Sequence, residues 1–337
     1  MRFTKRSSIN FLPGISLGLM GGWLGAQLSW VYFQLARADV KRSLSEHHNQ
    51  AKSGEQLLNR EESQTYQMRH SIEDGIERIV YTPTQRRFET PILMQHGMYH
   101  GAWCWRWWQE LLAVWGWESV AVSLPGHGFS PTQRRIPLCT LDYYLGFLKA
   151  EIERLPHKPV LMGHSMGGAL TQWYLKHVGD DLPAAILVAP WPSHSILAAG
   201  FWRLLNLFPL NCAMVSPAWE STPLVRDAKS AAKLFISKQA LISPEELHAQ
   251  LGRESALVLF QHNPPFWRPP QDLNTPMLWL AGELDAGIGE VSQRRSALFY
   301  KSDYYLAKGA GHNLMLEHNY RQSAGFIHDW LTKQAIV

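Results

Sequence analysis

The chain has 337 residues, of which 46% are hydrophobic and 18% are charged, and its net charge is +4. Its three cysteines, Cys104, Cys139 and Cys212, are widely spaced and odd in number, which argues against a disulfide framework or a cysteine zinc site. The spacing of its histidines and acids predicts no metal cluster, and no P-loop or dinucleotide fingerprint occurs in it.

The first predicted element is an uncharged stretch at residues 11–36, with basic residues on both sides. It is long enough to span a bilayer, so we predict a membrane anchor over residues 1–38. The small-x-small sequence Ala36-Arg37-Ala38 leaves open a secretory signal that is cleaved near Ala38. Basic residues are nearly balanced on the two sides, so the side of the membrane is not predicted.

The positive charge of the chain lies next to this stretch. Residues 1–42 carry six Lys/Arg and one Asp, so the rest of the chain has a net charge of −1. The excess of basic residues therefore does not indicate nucleic-acid binding. Polar, charge-mixed residues 39–63 are predicted to form a linker or a solvated helix that leads into a domain over residues 64–337.

Beyond this linker, short β-rich runs alternate with helical patterns. Residues 66–72 and 76–82 flank Asp74-Gly75, which predicts a hairpin. Further strand-like runs lie at residues 92–95, 119–123, 160–162, 184–188, 277–281 and 302–307. This alternation predicts an α/β domain with a mostly parallel sheet flanked by helices.

The alternation stops between about residues 190 and 270, where we predict a helical cap, because a structureless loop of this length is uncommon in a compact domain. An apolar stretch lies at residues 196–210, and two more helical patterns lie near 230–240 and 243–259. The last of these begins with Ser243-Pro244, a good helix start. Such a cap would roof a pocket, and Phe201 and Trp202 are candidate pocket residues.

The most informative motif is Gly-His-Ser-Met-Gly-Gly at residues 163–168, directly after an apolar run. A sharp turn from strand to helix holds a serine in a strained conformation with its hydroxyl exposed, and flanking glycines remove the Cβ atoms that would clash. Ser165 is therefore the candidate nucleophile.

A serine nucleophile needs a base, an acid that orients the base, and donors for the oxyanion. His312 lies in a glycine-rich loop after the last strand-like run and is the candidate base. Asp285, in the loop after residues 277–281, is the preferred acid, and Glu283 is the alternative.

The oxyanion donors are predicted to be backbone amides. Met166, directly after the serine, supplies the first of them. Met98 supplies the second, because a strand ends at His96-Gly97 and the chain must then turn. Trp103 lies nearest to this loop among six tryptophans at residues 103–117 and is a further candidate pocket residue.

Five motifs together resemble the α/β-hydrolase superfamily, in its serine esterase, lipase and lysophospholipase-like group. They are His96-Gly97, Leu124-Pro-Gly-His-Gly128, the hexapeptide at 163–168, Gly282-Glu-Leu-Asp285 and Gly311-His312. Their order of serine, acid and histidine is also that of the superfamily. The resemblance implies an α/β-hydrolase fold with the cap inserted before the strand that leads to the acid.

Residues 96–105 are also similar to the start of plant methylesterases and hydroxynitrile lyases, whereas residues 125–128 follow the general hydrolase pattern. We expect hydrolysis of hydrophobic or lipid-like carboxylic esters through an acyl-enzyme, with no cofactor or metal. Alternatives with the same triad are a cofactor-free lyase, an acyltransferase or a perhydrolase-like activity. A non-catalytic protein of this fold is the least expected, and protein partners are not predicted.

Overall fold

A single sheet of nine strands forms the centre of the protein, which is described here at residues 13–45, 51 and 54–336 of a computed structural model. The strands are β1 (Glu55–Glu62), β2 (Tyr66–Glu73), β3 (Ile76–Pro83), β4 (Ile92–Gln95), β5 (Ser119–Ser123), β6 (Val160–His164), β7 (Ala185–Val188), β8 (Met277–Gly282) and β9 (Asp303–Ala307). Their order across the sheet is β1-β2-β3-β5-β4-β6-β7-β8-β9.

The helices of the described residues lie on both faces of this sheet or above its edge. They are α1 (Pro13–Ala36), α2 (Val40–Ser45), α3 (Arg106–Trp115), α4 (Leu141–Arg154), α5 (Met166–His177), α6 (Ile196–Leu207), α7 (Pro209–Ala218), α8 (Ala228–Phe235), α9 (Pro244–Gln250), α10 (Ala256–Gln261), α11 (Glu290–Phe299) and α12 (Tyr320–Lys333).

The sheet is antiparallel at one edge and parallel elsewhere. β1, β2, β3 and β5 pair antiparallel in turn, and every pair from β5 to β9 is parallel. The central strands β4 to β8 are buried along their whole length, as expected for parallel strands covered on both faces. The predicted mostly parallel sheet flanked by helices is confirmed.

At the antiparallel edge of the sheet, one prediction agrees with the structure and one does not. Asp74 and Gly75 form the turn of the predicted hairpin, with φ of 51° and 72°. Residues 39–63 are not only a linker, because they contain α2 and the edge strand β1. β1 pairs with β2 through its backbone while its side chains stay largely exposed, so it has no apolar alternation to reveal it.

Helices α6 to α10 make up the segment between β7 and β8, where a helical cap was predicted. Ser243 caps α9 with a reciprocal capping box, as its sequence indicates. The single helical pattern at 243–259 is wrong, because the chain leaves the helix after α9. Ser255 then caps α10, and the Glu254 N–H donates to Thr222 Oγ1 at 3.1 Å instead of continuing a helix.

The end of α1 packs against the cap. Val31 and Leu35 cluster with Leu257 of α10, and the Trp30 and Trp219 rings lie 3.9 Å apart between centroids. Within the described part of the chain, none of the helices has both the length and the apolar character needed to cross a membrane. Residues 1–12 lie outside the described residues, and the anchor over residues 1–38 stays a prediction.

A buried ion pair joins the sheet edge to α4. Arg78 of β3 donates from Nε to Glu151 Oε2 at 2.7 Å and from Nη2 to Glu151 Oε1 at 2.5 Å, and both side chains are buried. Removing one partner leaves a buried charge uncompensated, so Arg78→Met should lower the free energy of unfolding by about 3–5 kcal/mol.

The double variant Arg78→Met/Glu151→Leu removes both charges and should lose much less stability than Arg78→Met. Urea denaturation of the three proteins checks this expectation. Equal destabilisation of the single and the double variant would show that the charge left on Glu151 is not the cause.

Candidate active site

Ser165 lies at the junction of β6 and α5, where the chain makes the predicted sharp turn from strand to helix. Its φ of 54° and ψ of −114° are a strained combination for a residue with a Cβ. The turn packs too closely for side chains on either side of the serine. A Cβ on Gly163 would collide with the backbone of Gly167, and a Cβ on Gly167 would collide with the Gln95 carbonyl of β4.

Asp285 and His312 form a buried pair beside this turn. His312 Nδ1–H donates to Asp285 Oδ2 at 2.6 Å. The other carboxylate oxygen, Oδ1, accepts from the amides of Gly287 and Ile288, at 2.9 Å each. Because Nδ1 carries the proton, Nε2 of the neutral imidazole is left as the proton acceptor.

Glu283, the alternative acid, points elsewhere. Its carboxylate is exposed and accepts hydrogen bonds from Lys308 Nζ and the Gly309 N–H, both at 2.9 Å. The bond from Lys308 lowers the pKa of this carboxyl. The structure therefore brings Asp285, and not Glu283, to His312.

Ser165, His312 and Met98 line one cavity of about 60 Å³ between the sheet edge and the cap. The remaining walls are apolar apart from the Tyr99 hydroxyl, and they come from both core and cap: Tyr99, Trp191, Ile196, Gly200, Leu204, Leu224, Leu234, Phe235, Leu259, Gly287 and Ile288. A larger surface cleft of about 480 Å³ at residues 271–277 and 299–301 contains none of the predicted site residues.

Three predicted pocket residues lie outside this cavity, so the structure does not support their assignment to it. On α6 the cavity is lined at four-residue intervals by Ile196, Gly200 and Leu204, which share one face of the helix. Phe201 and Trp202 lie off that face and are exposed. Trp103 is half-buried and stacks on His100, with 5.3 Å between ring centroids.

The two predicted oxyanion donors are positioned by different elements. Met166 begins α5, where a backbone N–H has no acceptor within the helix. Met98 lies in the turn after β4, and its N–H donates no hydrogen bond to any residue in the described ranges. His100 Nδ1–H donates to the Met98 carbonyl at 2.7 Å, which fixes the orientation of the following peptide.

The neighbouring histidines are neutral structural groups. Burial lowers the pKa of His100 to about 3, and its Nε2 accepts from Asn313 Nδ2 at 2.9 Å. Burial also holds the pKa values of His96 and His164 well below their usual range. His312 is the histidine of the cavity with a carboxylate partner. The structural role of His100 was missed, because one histidine among 15 carries no distinguishing pattern.

The cap holds the loop that carries Met98. Tyr99 adopts a left-handed conformation with φ of 66°, and its carbonyl accepts from the Gly252 N–H at 2.7 Å. Its hydroxyl donates to the Ser221 carbonyl at 3.0 Å. Both partners belong to the cap. Hydrogen bonds from the cap therefore fix Tyr99, the residue next to the predicted oxyanion donor. No sequence signal identifies this role.

The cap also holds the loop of the acid. Arg203 of α6 donates from Nη2 to the Asp285 carbonyl at 3.0 Å and from Nε to the Ala286 carbonyl at 3.1 Å.

Among the residues that the structure describes, no cluster of three His, Cys, Asp or Glu side chains is arranged to hold a metal ion. The groups gathered at the cavity are those of acid–base and nucleophilic chemistry.

Residues 92–325 match the sequence profile of the Alpha/beta hydrolase family. The pFDCC methylesterase MES16 of Arabidopsis thaliana is 38% identical over 96 residues, which are 28% of this chain and 36% of that protein. Methylesterase 1 of the same plant is 29% identical over 39% of this chain and 49% of its own length. The chain thus spans half or less of the length of these curated relatives.

Among solved structures, the chain is similar to a monoacylglycerol lipase of Paleococcus ferrophilus, with a TM-score of 0.57 and 21% identity. The likeness covers 77% of this chain and 99% of the lipase. At this identity it supports the fold, and the predicted α/β-hydrolase architecture is confirmed.

The two acids in the loop after β8 offer a matched pair of variants. Asp285→Asn should lower ester turnover by about 10⁴-fold, because an amide cannot hold the required tautomer of His312. Glu283→Gln changes only an exposed group and should leave turnover nearly unchanged. The turnover of a nitrophenyl ester by each variant checks this, and a larger loss in Glu283→Gln would assign the acid to Glu283.

The hydroxyl of Tyr99 offers a test of the contact between the cap and the oxyanion loop. Tyr99→Phe removes one buried hydrogen bond worth about 0.5–1.5 kcal/mol, so kcat should fall by up to about tenfold. KM should change less than kcat, because the ring that lines the cavity is kept. Steady-state kinetics separate the two constants, and an unchanged kcat would show that this contact does not position the loop.

Proposed function

The chain belongs to the alpha/beta hydrolase family, and on this premise we propose that it is a serine hydrolase that cleaves carboxylic esters. One observation carries the proposal. His312, which is paired with the buried Asp285, and Ser165, held at a strained turn, border the same small apolar cavity. Serine, histidine and acid in this setting are the groups that acyl transfer requires.

In the proposed reaction, His312 Nε2 takes the proton of Ser165 Oγ as this oxygen attacks the ester carbonyl carbon. The carbonyl oxygen becomes an oxyanion, which accepts hydrogen bonds from the amides of Met98 and Met166. When the carbonyl re-forms, the bond to the alcohol breaks and His312 returns the proton to that leaving group. Asp285 stays ionised and stabilises the positive charge that His312 carries between the two transfers.

Water completes the cycle by attacking the acyl-enzyme. His312 takes a proton from the water, a second oxyanion forms, and its collapse releases the carboxylic acid while Ser165 recovers its proton. The walls around Ser165 and His312 are largely apolar, so few other polar groups compete for this water.

The apolar walls support hydrophobic or lipid-like esters as the substrate class. Proteins named as methylesterases and as a monoacylglycerol lipase are among those similar to the chain, which supports ester bonds as the target. We further propose that residues 1–38 hold the enzyme at a membrane, on the strength of the uncharged residues 11–36.

Ser165→Ala removes the proposed nucleophile. Hydrolysis of a nitrophenyl ester should fall by at least about 10³-fold, as happens when a triad nucleophile is removed. A panel of acyl chain lengths, assayed with wild-type protein and this variant, measures both the loss and the preferred chain.

Labelling by a fluorophosphonate probe serves as an independent readout, because it requires an activated serine. The wild-type protein should be labelled and Ser165→Ala should not, with equal urea midpoints for the two. Undiminished turnover in the variant would exclude Ser165 as the nucleophile.

Product analysis with a competing alcohol distinguishes hydrolysis from acyl transfer, since only a transferase would form the new ester in preference to the acid.

A further inference from the structure

The helical hairpin of α6 and α7, residues 196–218, exposes an unusual amount of apolar surface. It contains a single charged residue, Arg203. Four large apolar side chains on it are exposed: Phe201 (44%), Trp202 (69%), Leu210 (71%) and Met214 (45%). Several large exposed apolar side chains on one short hairpin mark an interaction surface and not an ordinary solvated helix.

The charge and the cavity-lining residues of α6 face away from this surface. Gly200 and Leu204 line the cavity that contains Ser165. Arg203 donates to two carbonyls of the loop at Asp285 and Ala286, so its charge is directed toward the body of the protein. Asn206 is exposed on the same helix, and the large exposed side chains of the hairpin are apolar.

The apolar surface continues onto α1. Leu28, Tyr32 and Phe33 of α1 are exposed and border an open groove of about 650 Å³, which Leu197 of α6 also lines. Phe260 and Phe266 line the same groove. Leu197 lies one helical turn before Phe201, so the groove joins α1 to the exposed hairpin.

We propose that this continuous surface, formed by the exposed residues of α1, α6 and α7 and called here the apolar platform, docks on an anionic lipid bilayer. Aromatic residues such as Tyr32 and Trp202 are suited to the boundary between lipid and water. The platform includes part of the uncharged residues 11–36, and a cation lies at its rim. The Arg37 guanidinium lies 4.5 Å from the centroid of the Phe33 ring. In the sequence, residues 1–42 contain six Lys/Arg and one Asp, which makes the segment around α1 basic.

This arrangement of an apolar face with neighbouring cations complements a bilayer with acidic headgroups. Docking would place α6 between the lipid on one side and the cavity on the other. The inference goes beyond the proposed chemistry and does not depend on it, because it concerns the outer face of the cap and not the groups around Ser165.

Hydrogen exchange of the full-length chain tests the proposal segment by segment. Wild-type protein and Ser165→Ala are each measured with and without vesicles of phosphatidylcholine and phosphatidylglycerol. Exchange should slow across residues 196–218 when vesicles are added, and α12 on the body of the domain should not change. Protection that remains confined to the N-terminal segment would overturn the proposal.

A matched pair of variants tests which apolar side chains matter. Leu210 of α7 and Leu298 of α11 are exposed to 71% and 73%, and Leu298 lies outside the platform. The double variant Trp202→Gln/Leu210→Gln should reduce vesicle-induced protection at residues 196–218 by about tenfold or more, the equivalent of one or two apolar side chains removed from lipid. Leu298→Gln should leave this protection unchanged, and an equal loss in both proteins would contradict the proposal.

Three further outcomes separate the proposal from its competitors. Protection of residues 196–218 that grows with protein concentration in the absence of vesicles would overturn the proposal in favour of a second copy of the chain. Vesicle protection without any ester turnover would reject the proposed function and leave the docking surface standing. Full turnover of a soluble ester without vesicle protection would reject the docking surface and leave the proposed function standing.

Discussion

Three close approaches between backbone segments at one edge of the sheet are the constraint on which the site depends. β4 lies against the first turn of α5 so tightly that position 167 has no space for a Cβ. A Cβ on Gly97 would meet Ser165 in the same way, which brings the loop of Met98 against the serine. The loops after β8 and β9 approach each other just as closely, since a Cβ on Gly282 would collide with the Gly311 carbonyl. Glycine is thus the residue that allows the serine, the oxyanion loop, the acid and the histidine to meet at one edge of a parallel sheet.

The cap is part of this arrangement and not an added cover. Arg203 holds the backbone of the acid loop, and Gly252 and Ser221 hold Tyr99 beside Met98. Both contacts run through backbone carbonyls, so they fix loop geometry without altering the charge of the proposed catalytic groups. Preorganised loops of this kind keep amide donors aimed at one point, which is where an oxyanion hole gains its strength. The cap can therefore influence the proposed chemistry even where it does not touch the reacting atoms.

The sequence allowed the sheet and the serine turn to be predicted, because both depend on local patterns. Apolar runs of four to six residues marked the buried strands, and glycines around Ser165 marked a turn that tolerates no side chain. Contacts between distant segments left no such mark. The hydrogen bond from Arg203 that holds the Asp285 carbonyl joins residues 82 positions apart in the chain. Phe201 and Trp202 were assigned to the pocket from composition, but helical periodicity gives that face to Gly200 and Leu204.

The small volume of the cavity bears on how an ester substrate would enter it beneath the cap. A volume of about 60 Å³ is well below the roughly 300–1,000 Å³ of ordinary ligand sites, and we expect an outward shift of the cap to enlarge it. Five hydrogen bonds hold α6 and its preceding turn: two from Arg203, two to Asn263 Oδ1 from Ser195 Oγ and the Leu197 N–H, and one from the Ile196 N–H to the His262 carbonyl. At about 0.5–1.5 kcal/mol each, their loss costs about 3–8 kcal/mol. Burial of two exposed side chains of α6 or α7, at about 1.5–3 kcal/mol each, is of the same size. Contact between the outer face of the cap and an apolar phase is therefore large enough to balance opening of the cavity beneath it.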